Sequence, residues 1–150
     1  MRRYGSTRFA ASATIELVLL LARRHRGSSR CPPEIVLVHD EPEFSEAALA
    51  ALRGAGYDAI AFMDSMAGID ALEHPKHIEL LITRVRFPQG TPNGTALARM
   101  ARLKRPGIKV LFASFPEVRQ HIDGLGEFLP RPFSTDELLE TVDRMLDRHD

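Results

Sequence analysis

The chain has one cysteine, Cys31, so it cannot close an internal disulfide; this fits a reducing compartment and reads as a free thiol in a linker. It also lacks long apolar runs. The longest near the start, Leu17 to Ala22, is preceded by Glu16 and followed by Arg23, Arg24 and His25, far too short to span a bilayer and without a small-residue cleavage site. There are no internal repeats and no low-complexity tracts. A Gly-rich phosphate loop, a Gly-x-Ser-x-Gly elbow and paired catalytic carboxylates are absent too, which leaves an enzyme without support. The histidines outside the candidate site (His25, His74, His77, His121 and His149) form no cluster with a cysteine or a third ligand, so no zinc site is expected and these residues read as solvated. The predicted location is cytoplasmic.

What is present is ordinary for one globular domain: 150 residues, 44% apolar and 27% charged. The net charge of zero conceals an asymmetry. Residues 1–30 carry seven arginines (Arg2, Arg3, Arg8, Arg23, Arg24, Arg26, Arg30) against Glu16, giving +6, so the remainder carries −6. A basic arm over 1–30 followed by a domain over 31–150 is the expected division, with Cys31-Pro32-Pro33 as a stiff break. For the arm three readings stand: a solvated leader, a short amphipathic helix over Ala10 to Arg24, or an overlong start upstream of the domain. Its charge also allows binding to nucleic acid or an anionic membrane surface.

Beyond the break the signals alternate. Glu34 to His39, Tyr57 to Phe62, Ile78 to Thr83, Lys109 to Ala113 and Glu127 to Leu129 read as short strands, most of them apolar along their length. Between and after them, helices are predicted. The first covers Pro42 to Arg53, with Phe44, Ala48, Ala51 and Leu52 on one side and Gly54 as its stop. Others cover Asp64 to Glu73 (ended by His74-Pro75), Thr95 to Lys104 (stopped by Pro106-Gly107) and Pro116 to about Asp123. The last opens on a Ser134/Glu137 capping box and puts Leu138, Leu139, Val142, Met145 and Leu146 on one face. Five strands alternating with five helices imply an α/β, doubly wound five-stranded parallel sheet, a flavodoxin-like three-layer sandwich. Ligands of such folds bind beyond the carboxyl ends of the strands, which points to His39, Asp40, Glu41, Arg84, Ser114 and Arg131.

Four segments then carry a resemblance. V-L-V-H-D-E-P (from Val36), L-L-I-T-R-V-R-F-P (from Leu80), V-L-F-A-S (from Val110) and F-L-P-R-P-F (from Phe128) resemble, in order and spacing, the strand ends of response-regulator receiver domains. Element order alone would leave other flavodoxin-like binding proteins open. Carried over position by position, the resemblance places His39 where the family has its first acid, while Asp40 keeps the second. Arg84 stands where the family has its phospho-accepting aspartate. Ser114 keeps a strand-end hydroxyl, Arg131 replaces the lysine before Pro132, and Phe128 takes the place of the switch aromatic. The loop from Pro88 to Gly94 reads about two residues longer than the family's.

Receiver phosphorylation needs a carboxylate nucleophile and a divalent cation held by hard oxygens. Arg84 supplies no such nucleophile, and an arginine among the acids should remove Mg²⁺ affinity; no metal and no cofactor are expected. Arg84 and Arg131 are expected to converge on Asp40 and Glu41, with Arg84 pairing Asp40; the bland alternative sends Arg84 into solvent. His39 is open between a pH-sensitive group and an incidental strand end, Ser114 between an anion contact and a small strand terminus, and Phe128 between a switch and a core ring. Arg86 reads as a solvated loop residue. The resemblance implies two-component (phosphorelay) signal transduction by a stand-alone domain without an output domain. It would contact another signalling protein, or itself, through the fourth helix, fifth strand and fifth helix, around Val118–Ile122, Phe128–Phe133 and the outer face of the last helix.

Overall fold

The computed structural model describes residues 34–73, 77–88, 92–122 and 124–147. The arm over 1–30, the Cys31-Pro32-Pro33 break, the His74-Pro75 stop, His149 and the middle of the 88–94 loop lie outside these residues. The apolar runs become strands β1 (Glu34–Val38), β2 (Asp58–Phe62), β3 (Ile78–Thr83), β4 (Lys109–Ser114) and β5 (Glu127–Pro130). They pair in parallel in the order β2-β1-β3-β4-β5. β1 is buried at all five positions, as a strand covered on both faces must be.

Helices α1 (Pro42–Gly54), α2 (Ser65–Leu72), α3 (Gly94–Lys104) and α4 (Thr135–Met145) make the outer layers. The fourth predicted helix is instead a 3₁₀ helix, Pro116–His121, with no fully buried residue and only Val118 packed on the core; a segment with so little apolar surface to bury gains little from extending as an α-helix. On one face of the sheet Leu52 of α1 and Leu138 and Val142 of α4 pack on Ile35, Leu37, Leu80, Ile82 and Leu111. On the other, Ile69 and Leu72 of α2 and Leu97, Ala98 and Ala101 of α3 pack on Val36, Val38, Leu81, Val110 and Phe112. The result is the doubly wound, three-layer flavodoxin-like sandwich.

Local signals set the ends. Asp64 caps α2 by accepting from Ala67 N–H at 2.8 Å, and Asn93 caps α3 through Ala96 N–H at 2.9 Å. Ser134 and Glu137 form the reciprocal capping box of α4. Arg53 Nε donates to the Ala59 carbonyl at 3.0 Å, covering one acceptor of edge strand β2. Gly94 opens α3 so tightly against the chain leaving β3 that a Cβ there would lie 1.8 Å from the Arg84 carbonyl oxygen. That close approach requires glycine.

Candidate functional site

The sheet order reverses between β1 and β3, so a crevice opens beyond their carboxyl ends. All six strand-end residues singled out in the sequence lie at this end of the sheet: His39, Asp40 and Glu41 follow β1, Arg84 follows β3, Ser114 ends β4 and Arg131 follows β5.

Arg84 turns inward. Its Nη1 donates to Asp40 Oδ1 at 2.5 Å and lies 3.7 Å from Glu41 Oε1, and its side chain is 19% exposed. Arg131 does not share Asp40. Its guanidinium instead forms a fork on Glu41, Nη1 to Oε1 at 3.1 Å and Nη2 to Oε2 at 2.9 Å. Both arginines therefore meet Glu41, Arg131 by a direct fork and Arg84 at ion-pair distance, while Asp40 is paired with Arg84. A planar fork on a carboxylate is the geometry that distinguishes arginine from lysine. The hydrogen bond from Arg131 holds the Glu41 carboxyl below the usual carboxylate range.

Arg131 is also held face-on. Its Cζ lies 4.9 Å from the ring centroids of both Phe44 and Phe115, a cation between two π faces. The backbone completes the arrangement, with Arg131 N–H donating to the Ser114 carbonyl at 2.8 Å across the end of β4 and β5. The Arg131–Pro132 peptide is cis. Ser114 is 4% exposed, a buried strand terminus. Sequence reasoning placed Phe44 on a core face and passed over Phe115. The only signal for either role was an aromatic beside a strand-end polar residue.

His39 is fully buried and stacks on Phe44 with ring centroids 4.1 Å apart. Its Nδ1 accepts the Glu41 backbone N–H at 3.2 Å, so the proton of the neutral ring sits on Nε2. Nε2 has no hydrogen-bond partner among the described residues. Burial first, and then the Arg84 charge, lower the His39 pKa from 6.5 to about 4. The imidazole is thus neutral near pH 7, and Asp40, 4.0 Å from Nδ1, draws its countercharge from Arg84.

Phe128 is half-buried on β5 with Arg119 Cζ 5.7 Å from its ring centroid. Arg86 is exposed, with Nη2 3.3 Å from His121 Nε2 on the 3₁₀ helix. His77 is exposed and pairs with Glu79 at 2.8 Å. The Arg84 guanidinium sits on the Asp40 oxygen a metal would need, and no group of three or more potential His, Cys, Asp or Glu ligands occurs among the described residues. None of the described helices is long and apolar enough to cross a membrane.

No protein-family model matches the chain. A sensor kinase, CckA of Brucella abortus (strain 2308), is 30% identical over 125 residues, 77% of this chain. The chain spans only 13% of that kinase's length. Among solved structures, a response regulator receiver protein from Sinorhizobium medicae WSM419 is 25% identical, with a TM-score of 0.71, covering 81% of this chain and all of the other. The receiver domain of the hybrid histidine kinase CckA is 28% identical, with a TM-score of 0.65, covering 75% of this chain and 98% of that one. With the strand-end segments, the sheet order and these likenesses in agreement, the chain belongs to the receiver domains of two-component response regulators.

Proposed function

We infer that this receiver domain signals by protein–protein contact without accepting a phosphoryl group at the end of β3. The observation that carries this is the 2.5 Å contact between Arg84 and Asp40. A receiver that takes up phosphate needs a carboxylate to attack and a cation to neutralise the oxygens that attack and leave. Here the position at the mouth of β3 presents a guanidinium. It has no nucleophilic oxygen, and it occupies the coordination space of the acid that remains. Breaking the pair to admit Mg²⁺ would leave a largely buried cation facing a divalent one, which is unfavourable in a low-dielectric crevice. The domain is accordingly not an enzyme and uses no cofactor, and its strand ends hold one arrangement through Arg84–Asp40 and Arg131–Glu41.

The contacts that transmit the signal lie on the 3₁₀ helix, β5 and the outer face of α4, around Val118 to Ile122 and Phe128 to Phe133, where Arg119, Gln120, His121, Pro130 and Pro132 are exposed, with a second signalling protein as partner. The charge of residues 1–30 supports a second reading, an adaptor that binds nucleic acid or an anionic membrane surface. Binding to either that is strongly salt-dependent and lost on deleting those residues favours the adaptor. Partner binding unchanged by the deletion favours the receiver surface.

The main reading is tested by incubating the protein with a small-molecule phosphodonor and Mg²⁺ and recording intact mass. No phosphoryl adduct is expected, and Mg²⁺ should not shift the thermal midpoint. A stoichiometric adduct overturns the proposal.

A further inference from the structure

Among the described residues, the arginines left without a partner lie on α3, while most of the unpaired acids lie on α1 and α4 across the sheet; Asp70 of α2 is an unpaired acid on the α3 side. Helix α3 (G-T-A-L-A-R-M-A-R-L-K) contains no acid. Lys104 is tied to Glu73 at 2.5 Å, but Arg99 and Arg102 have no ion pair or hydrogen bond within the described chain. They lie three residues apart, Arg99 exposed and Arg102 half-buried, close to Leu103, which is 84% exposed. On the far side of the sheet, α1 and α4 pack together over the other core. Their cations are already engaged: Arg53 donates to the Ala59 carbonyl and Arg144 to Glu127 at 2.7 Å. The exposed acids Glu43 and Glu46 of α1 and Asp136 and Glu140 of α4 have no partner within the described chain. These pairs are spaced three and four residues apart, so each presents two carboxylates on one side of its helix. The exposed residues that follow them on α1 are the small Ala47 and Ala50, which leave room for close approach.

We propose that two copies of this domain associate head to tail, the α3 face of one seated on the α1/α4 face of the next. A symmetric contact through α3 would oppose cation to cation, and one through α1/α4 acid to acid. Only the unlike pairing is favourable, and like-charge juxtaposition is a strong penalty against the alternatives. Because the two faces lie on opposite sides of one sheet, a single copy cannot satisfy both with one partner. The contact is heterologous and does not close at two. Exposed pairs contribute little individually, so the association is weak and depends steeply on ionic strength. Leu103 supplies the apolar contact at its centre. The inference does not depend on whether the β3 end accepts phosphate.

Sedimentation equilibrium of the full chain tests it. The weight-average mass should rise with concentration beyond that of a dimer at low salt and return towards the monomer at high salt. Arg99→Glu with Arg102→Glu should weaken association about tenfold or more, and so should Asp136→Arg with Glu140→Arg. Mixing the two variants should restore association, because each altered face is complementary in charge to the altered face of the other and the unaltered faces still match. A wild-type protein that stays monomeric at low salt, or association unchanged by either double substitution, overturns the proposal. Both variants keep the core and the strand-end residues, and an unchanged thermal midpoint shows that they fold.

Discussion

At the residue scale, His39 has a role that its place in the sequence did not reveal. A histidine after an apolar strand reads equally as a titrating group or an incident of the strand end; burial against Phe44 decides it. The native ring stays neutral down to about pH 4, whereas in the unfolded chain it takes up a proton near 6.5. Protons therefore favour the unfolded state between these values. Stability is full above 6.5 and falls as the pH drops, by on the order of 3 kcal/mol across the window. The depressed Glu41 carboxyl acts in the same direction, but only below its ordinary value of 4.5. The interval between 4.5 and 6.5 thus isolates His39. Urea midpoints measured across it should decline with falling pH in the wild type and stay flat in His39→Phe. That variant keeps the stack on Phe44 and loses the Nδ1 acceptor, at a pH-independent cost of about 1 kcal/mol. A slope that survives the substitution would assign the effect to another group.

At the scale of elements, the apolar runs and the capping box were legible because they are local: buried parallel strands need apolar residues on both faces, and a cap needs its partner three residues on. Strand ends were less so. β4 and β5 each extend one residue beyond expectation, to Ser114 and Pro130, because those two residues face each other in the parallel register, a long-range pairing that no local pattern encodes. The 3₁₀ helix and the fork of Arg131 on Glu41 escaped for the same reason. Glycines show the limit of propensity most directly. Both Gly54 and Gly94 belong to helices, and intrinsic preference alone would favour alanine at either by about 1 kcal/mol. At Gly54 an added Cβ meets nothing within 4 Å, so Gly54→Ala should stabilise the domain by about 0.5–1 kcal/mol. At Gly94 the Cβ would collide with the backbone that carries Arg84, and the Gly94 N–H to Val85 carbonyl bond of 2.7 Å leaves little freedom to retreat. Gly94→Ala should cost about 2–3 kcal/mol. Thermal denaturation of the two variants should therefore shift in opposite directions; shifts of the same sign would refute the packing argument.

At the scale of the whole molecule, the strand ends are joined by two clamps that differ in reach. Arg84–Asp40 ties β3 to β1, neighbours already paired in the sheet. Arg131 spans further: its fork reaches Glu41 at the start of α1, its faces meet Phe44 of α1 and Phe115 before the 3₁₀ helix, and its backbone holds the end of β4. One side chain thus links both outer layers to the edge of the sheet. Removing it should loosen these segments together while the central strands keep their own ladders. Arg131→Ala should lower global stability by about 2 kcal/mol, the sum of a charged fork on a half-exposed carboxylate and two ring contacts. Arg131→Lys should recover less than half of that, since lysine keeps the charge without the plane or the fork. Native-state hydrogen exchange separates this from plain destabilisation. The amides of Ser45 and Val118, bonded to the Glu41 and Phe115 carbonyls, should lose more protection than the global change explains, whereas those of β1 and β3 should follow it. Uniform loss across all four segments would mean that Arg131 contributes to stability without coupling the layers.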